Sequence, residues 1–220
     1  ELSETGRNGP SIFPSTGLGL RIRADLTAAW SVRAAMVEAV PGDPDEPGRF
    51  GTRIQDGEDA LSLYEVNYGT TGESWFRAGA GGWHYGSAGR PEDRIPGRTG
   101  VYGFVEGSLF REAADREQGL SAFLRLARAT ERPALVRGYA GAGLVYRGLV
   151  PGRARDVLGL GWSRAEVGAG AVRGAAETAL ELTYRATLSP AVFVQPLALW
   201  TVDPAGEDAV APDSLALAVR

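Results

Sequence analysis

The chain has 220 residues, 44% of them hydrophobic and 23% charged, and its 23 basic against 27 acidic residues leave a formal net charge of -4. This composition excludes a disordered or collagen-like chain, and its acidic balance offers no basic face for nucleic acid, although every one of the 23 basic residues is arginine. Cysteine is absent, which excludes thiol catalysis and cysteine-ligated metal, and no segment reaches the roughly 18 consecutive apolar residues of a membrane helix.

The first clear element lies over 17 to 26, where Leu18, Leu20, Ile22, Ala24 and Leu26 alternate with Gly19, Arg21, Arg23 and Asp25. Period 2 predicts a strand with one apolar and one charged face. The same alternation predicts strands over 29 to 40, 60 to 69, 74 to 86, 100 to 111, 119 to 129, 135 to 147, 156 to 166, 177 to 188, 191 to 202 and 213 to 220. The total is about eleven, each near the ~10 residues of a tilted membrane-crossing strand. Mean hydropathy, at -0.13, hides this pattern because the two faces cancel in an average. The 31 glycines, many inside apolar runs such as 141 to 144, fit strands of a curved sheet better than helices.

Connector lengths add a second regularity. Short links at 27 to 28, 69 to 73, 149 to 155 and 189 to 190 alternate with longer polar ones at 41 to 59, 87 to 99, 167 to 176 and 203 to 212. Short periplasmic turns and long extracellular loops alternate in this way in outer-membrane barrels. The link at 111 to 118 is longer than this scheme expects and that at 130 to 133 is shorter. With the last strand descending to the periplasm, all the long connectors are extracellular, and Trp30, Tyr68, Trp75, Phe110, Tyr146, Tyr184 and Trp200 are expected in interfacial girdles. A bacterial single-chain barrel needs an even strand number, so the chain is expected to be a fragment lacking its N-terminal strands. The alternative to girdles is ordinary aromatic core packing.

At this point particular segments carry a resemblance. Residues 10 to 16 (Pro-Ser-Ile-Phe-Pro-Ser-Thr), 41 to 47 (Pro-Gly-Asp-Pro-Asp-Glu-Pro), 100 to 103 (Gly-Val-Tyr-Gly), 139 to 153 (from Tyr139 through Pro151-Gly152-Arg153), Asp156 to Gly161, Glu177 to Ala186 and Val194-Gln195-Pro196 resemble successive blocks of the carbohydrate-selective porin family of the OprB type. The resemblance implies an all-β, antiparallel transmembrane barrel of about sixteen strands, of which residues 1 to 220 form one partial domain. It also implies location in the bacterial outer membrane, a monomer in contact with its lipid, and passive diffusion of glucose and related small neutral sugars. No cofactor, nucleic-acid partner or enzymatic activity is implied. Residues 195 to 199 (Gln-Pro-Leu-Ala-Leu) depart from the family pattern in being less polar than expected for a lumen-facing strand.

On the polar phase stand Arg21, Arg23, Arg33, Arg77, Arg125, Arg137 and Arg185, with Glu65, Glu106 and Glu181. They are expected to line the lumen, where guanidinium forks donate to sugar hydroxyls and carboxylates accept from them. Trp83, Tyr102 and Tyr139 are expected to offer flat faces to pyranose C–H surfaces. The competing expectation is that the charges pair with one another and hold the wall. Asp43, Asp45 and Glu46 lack the spacing of a calcium loop and read as a solvated loop. His84, the single histidine, falls on the phase opposite Arg77; a barrel enzyme would need it turned inward beside a serine or an acid. A soluble β-sandwich binding protein is the other alternative, and it would bury its apolar strand faces against each other.

Overall fold

The computed structural model describes residues 18–38, 60–86, 98–129, 136–167, 176–204 and 212–219. Alternation of apolar and polar side chains gives a single antiparallel sheet of 12 strands: β1 (Gly19–Asp25), β2 (Trp30–Glu38), β3 (Ala60–Thr70), β4 (Phe76–Tyr85), β5 (Arg98–Arg111), β6 (Gly119–Ala129), β7 (Val136–Arg147), β8 (Val157–Val167), β9 (Ala176–Ser189), β10 (Val192–Val194), β11 (Pro196–Val202) and β12 (Ser214–Val219). Each strand pairs with its chain neighbour from β1 to β9, then β11 and β12 follow, so the order is a meander with β1 and β12 at its ends. The expected fold class holds, and the strands lie close to their predicted spans. The strand predicted over 191 to 202 is divided, however. Pro196 has no N–H for the ladder, and the Gln195 amide instead donates to Thr183 Oγ1 at 2.9 Å, so β10 pairs only β9 while β11 bridges β9 and β12.

Register carries one row of side chains straight across the sheet: Arg23, Arg33, Glu65, Gly81, Tyr102, Ala127, Tyr139, Ala165 and Glu177 are successive partners. They therefore share one face. The opposite face presents Leu20, Ile22, Met36, Leu126, Leu160 and Leu182, all exposed. A sandwich would bury these residues in its middle. Instead, the buried hydrophobics among the described residues, Leu61, Trp83 and Tyr85, lie on the charged face, with Val37, Leu63, Tyr102, Ala127 and Ala129 packed around them.

The two ends of the strands differ. At the end joined by the described connectors, Trp30, Tyr68 and Phe76 pack with tilted rings on the apolar face, successive ring centroids being 5.0 and 6.2 Å apart, and Phe110 meets Tyr146 at 5.7 Å. Phe110 reaches this face through a bulge that sets it opposite Leu120. Of the aromatics expected in girdles, Trp200 alone stands toward the other end of its strand, so the described residues form one dense aromatic rim rather than two.

The over-long link after β5 is an ordered part of that rim. Asp115 accepts from the Gln118 side chain (2.9 Å) and the Glu117 N–H (3.0 Å), Tyr146 donates to Glu112 (2.9 Å), and Arg116 and Arg147 pair with Glu73 (2.9 Å) and Glu117 (3.1 Å). The next turn, 148 to 156, is held by Asp156, which is only 3% exposed. Its carboxylate accepts from Tyr184 OH, from Arg153 Nε (2.7 Å) and from Thr187 N–H (2.9 Å), while Gly148 (φ +80°) and Gly152 (φ +79°) supply the left-handed turns. These bonds, that from Tyr184 foremost, hold the Asp156 carboxyl below the usual carboxylate range against the opposing effect of burial. Because the folded-state value is depressed, its stabilisation is complete above the unfolded value of about 4 and disappears as pH falls through the folded value. The urea-midpoint gap between wild type and Asp156→Asn is accordingly expected to be present at pH 7 and to close at pH values below that range.

Candidate functional site

The charged face is the candidate site. Near its centre Glu65 accepts from Arg33 Nη1 (3.0 Å), Asn67 Nδ2 (2.7 Å) and Tyr102 OH (2.7 Å). One step along the strands, Glu106 pairs with Arg77 at 3.1 Å and lies 3.9 Å from Arg125, whose guanidinium stands 5.2 Å over the Phe123 ring. Arg23 pairs with Asp25 at 2.6 Å, and Arg185 lies 4.0 Å over the ring of Phe193. Of the residues expected on this face, Arg21, Arg23, Arg33, Glu65, Arg77, Trp83, Tyr102, Glu106, Arg125, Tyr139, Glu181 and Arg185 all fall on it by register. Arg137 sits where the register of β7 on β8 shifts between Val136 and Gly138, and the ladder gives it no partner. Asp43, Asp45 and Glu46 lie outside the described residues.

One expectation about solute contact changes. Trp83 is 2% exposed and cannot present its ring to a passing solute. It stacks on Tyr102 at a centroid distance of 6.2 Å, and the hydroxyl of Tyr102 is committed to Glu65. His84 faces the apolar side, with Nδ1 3.1 Å from Thr99 Oγ1, away from the acids of the charged face.

Glycines give this wall its relief. Gly79 lies under the ring of Phe104, Gly81 under Tyr102, Gly100 under Trp83 and Gly143 under Phe123, each so close that an added Cβ would collide with the ring. The aromatic side chains therefore lie flat over a neighbouring strand instead of projecting outward from the face. Between Phe123 and Tyr139 on one side and Glu181 and Thr183 on the other, Gly159 and Gly161 floor a groove of about 270 Å³. Glu181 is exposed there and makes no ion pair among the described residues. Leu199 also borders the groove, which places part of the unusually apolar 195 to 199 segment on the charged face. Phe123 and the paired glycines were not among the residues expected on this face; the signal for them was glycine at alternate positions of β4, β7 and β8.

A family model described as carbohydrate-selective porin, OprB family, matches residues 2–220. No curated protein matches the chain. Among solved structures, the fold is similar to the high-pH structure of Pseudomonas putida OprB, with a TM-score of 0.74 and 17% identity over 94% of this chain and 58% of that one. The low-pH structure of the same protein gives a TM-score of 0.60 and 18% identity, covering 85% of this chain and 51% of that one. The chain thus spans little more than half the length of these structures, and at such identity the likeness concerns the fold.

Proposed function

Since this chain belongs to the OprB family of carbohydrate-selective porins, we propose that it forms part of the wall of an outer-membrane pore through which glucose and related neutral sugars diffuse passively. Further strands, to a total of about sixteen, close the barrel as a monomer. The apolar face meets lipid, the rim of short connectors faces the periplasm, and the Arg/Glu face lines the lumen.

The observation that carries this reading is the glycine-floored groove on the charged face. It combines what a pyranose needs: flat aromatic surface at Phe123 and Tyr139, a carboxylate acceptor at Glu181 and a hydroxyl at Thr183. Elsewhere on this face Arg77 and Arg125 both pair with Glu106, so their first effect is to hold the wall and set its charge while the groove takes the sugar. No covalent step or cofactor enters, because diffusion down a gradient requires only a wet, correctly sized path.

The test is planar-bilayer conductance of the full-length protein containing this chain, with glucose titrated against ionic current and an uncharged non-sugar of similar size as control. Discrete channels blocked by glucose are expected, and Glu181→Gln with Tyr139→Leu should weaken that block by about tenfold, the loss of one charge-assisted hydrogen bond and one ring contact. Channels indifferent to glucose would remove the sugar claim, and an absence of channels would remove the pore.

A further inference from the structure

The outward face of the sheet carries a feature that diffusion through the lumen does not use. Among the described residues of β2 to β9, the charged groups on this face are Glu38, Arg128, Arg164 and Glu166, all toward the strand ends opposite the aromatic rim. Arg128 and Glu166 come from β6 and β8 and approach to 3.7 Å across β7, because the intervening partner of both is Gly138. Their side chains are 62% and 51% exposed, and Arg164 donates to Thr178 Oγ1 at 3.1 Å. Just beside these charges, Gly103 on β5 and Gly138 and Ala140 on β7 lower the surface on either side of Leu126 and Arg128 into an open groove of about 340 Å³.

Depth fixes what can reach this place. From Tyr146 in the aromatic rim to Gly138, β7 advances roughly 26 Å, or about 20 Å along the membrane normal at a ~40° tilt. Arg128, partnered with Gly138, therefore stands near the far boundary of an apolar band about 25 Å tall, and Arg164, partnered with Ala140 two residues nearer the rim, stands just inside it, both on the side that meets lipid. An exposed arginine facing lipid is costly unless an anion or water receives it. Two arginines against one glutamate leave the cluster positive, and a guanidinium fork matches a phosphate through paired N–H donors.

We propose that this groove binds a phosphate-bearing lipid of the outer leaflet, with its phosphate between Arg128 and Arg164 and one acyl chain over Gly103, Gly138 and Ala140. The inference rests on the membrane-barrel reading above. The apolar floor, continuous with the lipid-facing surface, selects a lipid over free phosphate, and the charges select an anionic headgroup over a neutral one.

The test uses the full-length protein folded in uncharged detergent and titrated with bis-phosphorylated lipid A, with bound lipid counted by native mass spectrometry. Saturable binding is expected, about tenfold weaker in Arg128→Gln/Arg164→Gln, weak for the same lipid stripped of phosphate, and undiminished by millimolar inorganic phosphate. Ala140→Leu, which fills the groove and keeps every charge, should weaken binding as well and decides the matter if the double variant does not fold. Equal binding by either variant, equal binding of the phosphate-free lipid, or displacement by inorganic phosphate would overturn the proposal. Conductance is recorded on the same preparations. Channels without phosphate-dependent lipid binding would remove this site and keep the pore, and lipid binding without channels would do the reverse.

Discussion

Trp83→Ala is expected to destabilise the folded sheet by about 3–5 kcal/mol, the usual cost of emptying a large buried aromatic site. Trp83 is 2% exposed and Leu61 0%, and the cluster they centre draws Val37 from β2, Leu63 from β3, Tyr102 from β5 and Ala127 and Ala129 from β6. The cluster around Trp83 therefore ties together five adjacent strands. The ring lies over Gly100, its ladder partner on β5, where no Cβ intervenes. The measurement is the urea unfolding midpoint of the protein refolded in detergent, followed by heat-modifiable gel mobility. In molecules that do fold, glucose block should be unchanged. A weaker block with an unaltered midpoint would return Trp83 to the role of a solute contact.

Glu65→Ala comes next in size, at about 2–3 kcal/mol. It removes the common acceptor of Arg33, Asn67 and Tyr102 and leaves Arg33 with Nε already lacking a partner among the described residues. Breaking a fully buried pair costs more, about 3–5 kcal/mol, because the surviving charge has no water. Here the Arg33 side chain is 31% exposed and solvent offsets part of the loss. Adding Arg33→Met to Glu65→Ala should recover part of the stability, since it removes the orphaned charge. A double variant that falls by the full sum of both single losses would show that the two groups are not coupled.

The architecture was legible because a strand has a fixed side-chain period. Once Leu18 to Leu26 alternate with arginine and aspartate, the faces follow without knowledge of any partner. The same rule put Arg33, Glu65, Glu106 and Glu181 on one side before any pairing was known, and put His84 on the other. The family words at 139 to 161 were legible too, but much of what they encode is the Asp156 turn and the glycine floor.

Other features depended on which residues meet across strands. Whether Trp83 faces solute or is covered depends on Gly100 and Tyr102 lying beside it, and the groove depends on Phe123, Tyr139 and Glu181 flanking the glycines of β8. A break at Gln195-Pro196 and a bulge after Ser108 shift pairings locally without disturbing the hydrophobic alternation that announces a strand. By itself the sequence determined the strands, their two faces and the family. Tertiary structure alone decided which aromatics are buried, where the groove lies and that Arg128 meets Glu166 across Gly138, because register is fixed by all the cross-strand contacts together.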